Sequence, residues 1–287
     1  MDDSSRSARL LLESATALAQ ACNARAIVAP IDGLPGVDTV PPRTILVRRD
    51  DDGNEGDAPI KGAATVITTP AVELDRMGSV KLAAIIALSS RLIDISDTVV
   101  FLAGPQRSTV DTMVVLRIGD EFRLFDPADD SSAEGHVRRA VFHRVLTIAL
   151  QLGQHGRESR KIGTLLVVGD HERVLDQAEQ MILNPFKGYS DAERNILDNA
   201  MRETVKEFSS LDGAFIIRRN GVIETAGARL RAGLSEGLPS GLGARHAAAA
   251  GITSTTKAIA ITVSESDGTV RVWRAGKLLA SFETSSR

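Results

Sequence analysis

"DGAFIIRRNGVIETAG", residues 212–227, places two short runs of β-branched and aromatic side chains on either side of an Asn-Gly pair. Asn-Gly supplies the positive backbone angles of a tight turn whose twist matches paired strands, so the stretch predicts a β-hairpin. Upstream, "GTLLVVGD" (163–170) reads as a strand, followed by a helix over 171–182. Residues 191–208 read as a longer helix, with Ser190 as its cap and Glu193 completing a capping box. Downstream, "GLGARHAAAAG" (241–251) sets a sharp turn signal against an alanine run. Glycine reaches angles other residues avoid and alanine is the best helix former, which predicts a tight turn opening a short helix closed at Gly251. The remainder reads as a meander: "TKAIAITVSE" (256–265), an Asp-Gly turn at 267–268, "TVRVWRA" (269–275) and "KLLASFE" (277–283). Residues 153–287 therefore predict a β-rich α/β domain with a mixed sheet flanked by helices.

The N-terminal half predicts a second, small α/β domain over residues 1–152. Residues 5–22 carry apolar side chains at helical spacing (Leu11, Ala15, Leu18, Cys22) behind Ser4 as a cap. "RAIVAPI" (25–31), "RTILVRR" (43–49), "ATVITTP" (64–70) and "DTVVFLAG" (97–104) read as strands, with a helix over 79–92. A hairpin-like pair follows at 111–118 and 121–125, and the acidic run "DDDGNEGD" (50–57) reads as a solvated loop. Residues 137–152 form an amphipathic helix (Val137, Val141, Val145, Ile148, Leu152), and "GQHGRESRKIG" (153–163) then breaks the pattern. The domain boundary is predicted there.

Bulk properties narrow the function. The 287 residues suffice for two cores, and a net charge of −3 leaves no basic field for nucleic acid. A single cysteine, Cys22, excludes an intrachain disulfide and any cysteine-rich metal site. "MDDSSRSARLLLES" does not resemble a signal peptide, and the longest apolar tract, 79–104, carries Lys81, Arg91, Asp94 and Asp97. The expectation is a cytoplasmic protein with no membrane partner. His136, His143, His155 and His171 share no metal-ligand spacing, and Tyr189 and Trp273 are too isolated for a base-stacking platform, so their default role is packing.

Three clusters lie at turns or strand ends, where scaffolds present functional groups: Asp212, Arg245–His246 and Ser264–Glu265. Carboxylates suit a hard divalent ion, while Arg and helix N-terminal N–H groups suit phosphate, so the set fits a metal–nucleotide complex. The same residues also read as a turn aspartate, an arginine paired with a surface acid, and a packed core histidine.

"DGA" at 212–214, "GLGARHAAA" at 241–249 and "VSE" at 263–265 resemble, in order and spacing, the motifs of the diadenylate cyclase (DAC) domain. With an N-terminal half attached, the chain resembles the archaeal-type members, whose first domain is similar to the C-terminal domain of pyruvate kinase and would oligomerise or sense a signal. The resemblance implies condensation of two ATP into cyclic di-AMP, with Mn²⁺ or Mg²⁺ and with facing DAC domains of a self-associated chain. Carried over, Asp212 would hold metal and activate the attacking 3′-hydroxyl, and Glu265 would be the second metal carboxylate. Gly213 and Ala214 would admit substrate close to the backbone, and Arg245 and His246 would bind the triphosphate beside Gly243 and Ala244. Ser264 would touch phosphate. Leu230, in "AGARL", would pack on adenine, and also reads as an ordinary core or surface leucine. Ala244 stands where many members carry Thr, and Ala247 where the bacterial pattern carries Arg. The first departure keeps a second reading open, a catalytically inactive nucleotide-binding regulator with the same fold.

Overall fold

The computed structural model describes residues 3–50, 60–105, 108–121, 137–156, 160–231 and 243–283. Contacts divide the chain into two units, Met1–Phe125 and Asp126–Arg287. Among the described residues no helix is long and apolar enough to cross a membrane.

The first unit runs α1 (Asp3–Ala21), β1 (Ala26–Pro30), β2 (Thr39–Asp50), β3 (Lys61–Pro70), α2 (Arg76–Ser89), β4 (Thr98–Ala103), β5 (Thr112–Arg117) and α3 (Ile118–Glu121). Its sheet has the order β3-β2-β1-β4-β5, parallel through β4, with β5 antiparallel at one edge. β1, and β4 after Thr98, are apolar because both faces are covered. Ile27, Ala29, Val100 and Leu102 pack with Ala8, Leu12 and Ala15 of α1. On α2, Asp75 is the cap, its carboxylate accepting from the Gly78 N–H at 2.6 Å. Of the hairpin expected at 111–118 and 121–125, the first limb forms β5 and pairs with β4. Ile118–Glu121 is instead a helical turn, because Ile118 is fully buried and its N–H is taken by the Asp97 carbonyl. Residues 122–125 and the acidic run 51–57 lie outside the described residues.

The second unit runs α4 (Arg139–His155), β6 (Thr164–Val168), α5 (His171–Asp176), β7 (Ala178–Gln180), α6 (Asn199–Phe208), β8 (Ala214–Ile217), β9 (Ile223–Leu230), α7 (Ala244–Thr255), β10 (Ile259–Val263), β11 (Val270–Arg274) and β12 (Lys277–Phe282). Its sheet has the order β12-β11-β10-β6-β8-β9-β7, with β6 and β8 parallel and the other pairs antiparallel. Ala249, Ala250 and Ile252 of α7 pack on one face with Leu165, Val167, Ile216, Ala260 and Trp273. The alternate strand residues Leu166, Phe215 and Ile261 are equally buried on the other face, and α4 packs on β10 and β11.

Four expectations need correction here. The boundary falls between residues 125 and 126, not near 153, because α4 belongs to the second unit. Its Val141, Val145, Ile148 and Leu152 are buried, and Gly153 lies so close to the Gly268 carbonyl that a Cβ would approach it to 2.3 Å. The helix expected over 171–182 stops at Asp176, because the edge of β9 captures the next residues as β7. There the Gln180 amide accepts from the Thr225 hydroxyl at 2.6 Å and donates to the Ala226 carbonyl at 2.7 Å.

The helix expected over 191–208 begins at Asn199, behind an Asp198 cap. Glu193 does reach back to the Ser190 N–H at 2.9 Å, but the chain beyond bonds to the hairpin: Ile196 donates to the Gly221 carbonyl and Arg194 accepts from the Ile223 N–H. Arg194 also pairs with Glu224 and Asp191. Finally, α7 continues past Gly251 to Thr255. An interior glycine costs about 1 kcal/mol relative to alanine. Burying Ile252 completely yields about 1.5–3 kcal/mol, so burial wins.

Candidate functional site

The parallel pairing of β6 with β8 brings the start of both strands to one end of the sheet, where antiparallel β9 and β10 finish. Asp212 enters β8, Leu230 closes β9, and Ser264 and Glu265 follow β10; α7 begins beside them, with Gly243 as its cap. As a result Asp212, Gly213, Ala214, Leu230, Gly243, Ala244, Arg245, His246, Ser264 and Glu265 line one cavity of about 850 Å³. That volume suits a ligand of nucleotide size. Arg271, Asp267, Arg229 and Met181 also line it and were not singled out from sequence. Arg271 is the most consequential of these. Its signal was present, since a strand of the pattern "TVRVWRA" turns Arg271 to the face opposite its apolar neighbours.

Arg245 organises the mouth. Its guanidinium donates to Glu265 at 3.0 Å and to Asp212 at 3.3 Å, so two carboxylates converge on one cation. Both acids are exposed, at 65% and 84% of the side chain, and both line the cavity. Gly163 makes room for this cation: a Cβ there would stand 2.3 Å from Arg245 Nη1 and 2.9 Å from Glu265 Cβ. At the cavity Gly213 is under steric demand as well. Its φ is +100°, and a Cβ would meet the backbone of Gly227 and Ala228 at 2.7 Å. A side chain at position 213 would therefore be strained and would separate β8 from β9. Among the described residues none lies within 4 Å of a Cβ placed on Gly243.

His246 differs from the cation suggested by its place in the first turn of α7. It is buried, edge-on to the Trp273 ring at 6.1 Å between centroids, and its Nε2 lies 3.2 Å from Arg271 Nη1. Arg271 can only donate, so Nε2 accepts and the ring proton sits on Nδ1. Burial first, then the charge of Arg271, lowers the His246 pKa. The imidazole is neutral near pH 7, and among the described residues the cations lining the cavity are Arg245, Arg271 and Arg229, the last paired with Glu179. The sign for stability follows: the unfolded chain binds the His246 proton more tightly, so this group's contribution is complete above about pH 6.5 and is lost as pH falls below it. Thermal unfolding should therefore lose more Tm between pH 7.5 and 5.5 in the wild type than in His246→Gln. Equal losses would contradict a buried neutral histidine.

The turn after β10 is held by Asp267. Burial would raise its carboxyl, but bonds from Ser264 and from the Thr269 N–H and side chain, with the Arg271 charge, bring it down to about 2. The Thr269 N–H donates to Asp267 at 2.9 Å, and the nearly buried Ser264 hydroxyl lies 3.1 Å from that of Ser266. Among the described residues no group of three or more metal-ligating side chains occurs, so any ion here would be held by a pair of carboxylates and by ligand oxygens.

Residues 151–278 match the family described as DisA bacterial checkpoint controller nucleotide-binding. The chain is 34% identical over 201 residues to a diadenylate cyclase of Haloferax volcanii, covering 69% of this chain and 72% of that one. It is 35% identical over 209 residues to a diadenylate cyclase of Methanocaldococcus jannaschii, covering 70% of this chain and 64% of that longer relative.

Proposed function

The chain belongs to the diadenylate cyclase (DAC domain) family, and from that premise we propose that it condenses two ATP molecules into cyclic di-AMP with release of two pyrophosphates. The observation that carries this reading is the convergence of Asp212, Arg245, Ser264 and Glu265 with glycine-lined backbone on one cavity of nucleotide size. Each 3′-oxygen forms a bond to the α-phosphorus of the other ATP. The bond from that phosphorus to the bridging oxygen breaks, and pyrophosphate leaves with the electron pair.

Mn²⁺ or Mg²⁺ fits the donor set, because Asp212 and Glu265 are exposed oxygen donors already converging on a single cation. When bound, such an ion neutralises phosphate charge. The chain's own residues do the rest. Arg245, Arg271 and the N–H groups opening α7 hold the triphosphate. Ser264 donates to phosphate, and Gly213 and Ala214 let the nucleotide lie against the start of β8. Leu230 flanks the base. Asp212 orients the 3′-hydroxyl and takes its proton. Neutral His246 steers Arg271 rather than carrying charge itself.

Incubating the protein with ATP and either metal, then resolving the products, tests the proposal: cyclic di-AMP is expected, and chelation should abolish it. ATP binding without product under both metals would favour the regulator reading. Ala244 is exposed at the cavity mouth, so Ala244→Thr should be tolerated and should keep or raise turnover. Loss of ATP binding in that variant would show a site built differently from Thr-bearing relatives. Gly163→Ala should raise KM for ATP about tenfold by displacing Arg245 while leaving the fold intact. An unchanged KM would remove Arg245 from substrate binding.

Two ATP molecules must face each other, and a twofold pair of DAC domains supplies that geometry. Specific activity should therefore rise with protein concentration in the dilute range. Mixing Asp212→Asn with Arg245→Ala subunits should give activity different from the average of the two. A concentration-independent rate from a strict monomer would refute facing sites.

A further inference from the structure

The first unit holds a separate cavity of about 80 Å³ at the carboxyl ends of its parallel strands, beneath α2. It sits where the strand order reverses, with β2 and β3 to one side of β1 and β4 to the other. Open α/β sheets place ligands in the crevice at such a switch point. The walls are apolar, built by Val28, Val47, Phe101 and Leu82. A water needs about 10–15 Å³ by the same measure, so the space takes roughly six water-sized groups, a branched aliphatic side chain rather than a base and ribose.

Among the described residues the lining carries one charge of each sign. Pro30 and Val47 are register partners, and Asp32 and Arg49 follow each of them by two residues. Both line the cavity. Among the described residues Arg49 makes no ion pair, and its guanidinium donates one long bond, 3.5 Å to the Val72 carbonyl. Asp32 is exposed and, among the described residues, has no hydrogen-bond or ion-pair partner. A phosphate suits the place poorly, because Asp75 already caps α2, accepting from the Gly78 N–H, and adds negative charge at that helix start. A half-buried guanidinium, a neighbouring carboxylate and a small, mostly apolar pocket match a zwitterion with an apolar tail.

We propose that the first unit binds a free aliphatic α-amino acid, with its carboxylate on Arg49, its ammonium on Asp32 and its side chain among Val28, Val47, Phe101 and Leu82. The proposal is independent of the cyclase reading. Calorimetric titration of the full chain with L-valine, L-leucine and L-isoleucine tests it, with isovalerate, isobutylamine, glycine and inorganic phosphate as comparison probes. At least one of the three amino acids should bind with Kd below about 1 mM and at least about tenfold more tightly than every comparison probe. Arg49→Met and Asp32→Asn should each weaken that binding about tenfold or more, with the free protein's Tm unchanged in at least one of them. No binding of the three at about 10 mM, equal binding of isovalerate or phosphate, or an affinity unmoved in a folded variant would overturn the proposal.

Discussion

Asp212→Asn should bind ATP as the wild type does and turn it over about 10²–10⁴-fold more slowly, the range spanned by a positioned acid–base group. The substitution preserves shape and removes the negative charge to which the proposed mechanism assigns the metal and the hydroxyl proton. Stability should not change, for a specific reason. The Asp212 side chain is 84% exposed, and Arg245 keeps its shorter bond to Glu265 at 3.0 Å, so no buried cation loses its partner. Single-turnover rates with saturating ATP separate the chemical step from binding. A wild-type rate in Asp212→Asn would remove this residue from the mechanism.

Arg245→Ala should act on binding. Losing one charge-assisted bond to the triphosphate weakens affinity by about 1.5–3 kcal/mol, a factor of about 10–150. The variant should remain folded, since the side chain is about one-third exposed and its partners face solvent. It also leaves Asp212 and Glu265 without the cation between them, so the dependence on metal concentration should shift together with ATP affinity. Arg245→Lys should recover part of the affinity, because an ammonium keeps the charge but cannot span both carboxylates as the planar guanidinium does. Equilibrium ATP binding by the alanine variant at wild-type strength would assign the triphosphate to Arg271 instead.

Elements whose local chemistry is self-sufficient were legible in the sequence. The 212–227 hairpin forms where Asn220-Gly221 turns the chain, with the positive φ at Gly221 alone (+97°), and its flanking apolar runs pair as β8 and β9 with register shifts along β8. α7 starts behind Gly243 as its turn signal implies, and the meander from β10 to β12 needs only near neighbours. Ordered along the chain, the three motifs already named the residues that end up lining one cavity.

Tertiary structure decided the rest where a distant partner outbid local preference. Residues 178–180 became a strand because β9 offered an unpaired edge, and residues 191–198 left the helix because the hairpin supplied their hydrogen bonds. The boundary moved because α4 buries its apolar stripe on the second sheet, a choice that amphipathic periodicity cannot express. Likewise the charge of His246 was not readable from its position in a helix's first turn. It depends on burial against Trp273 and on Arg271, brought from 25 residues away by the pairing of β10 with β11. The sequence by itself determined which residue types are available for binding ATP and at which turns they stand. The fold determined which of them carry charge and which share a cavity, because desolvation and long-range strand pairing are properties of the packed chain and not of any window within it.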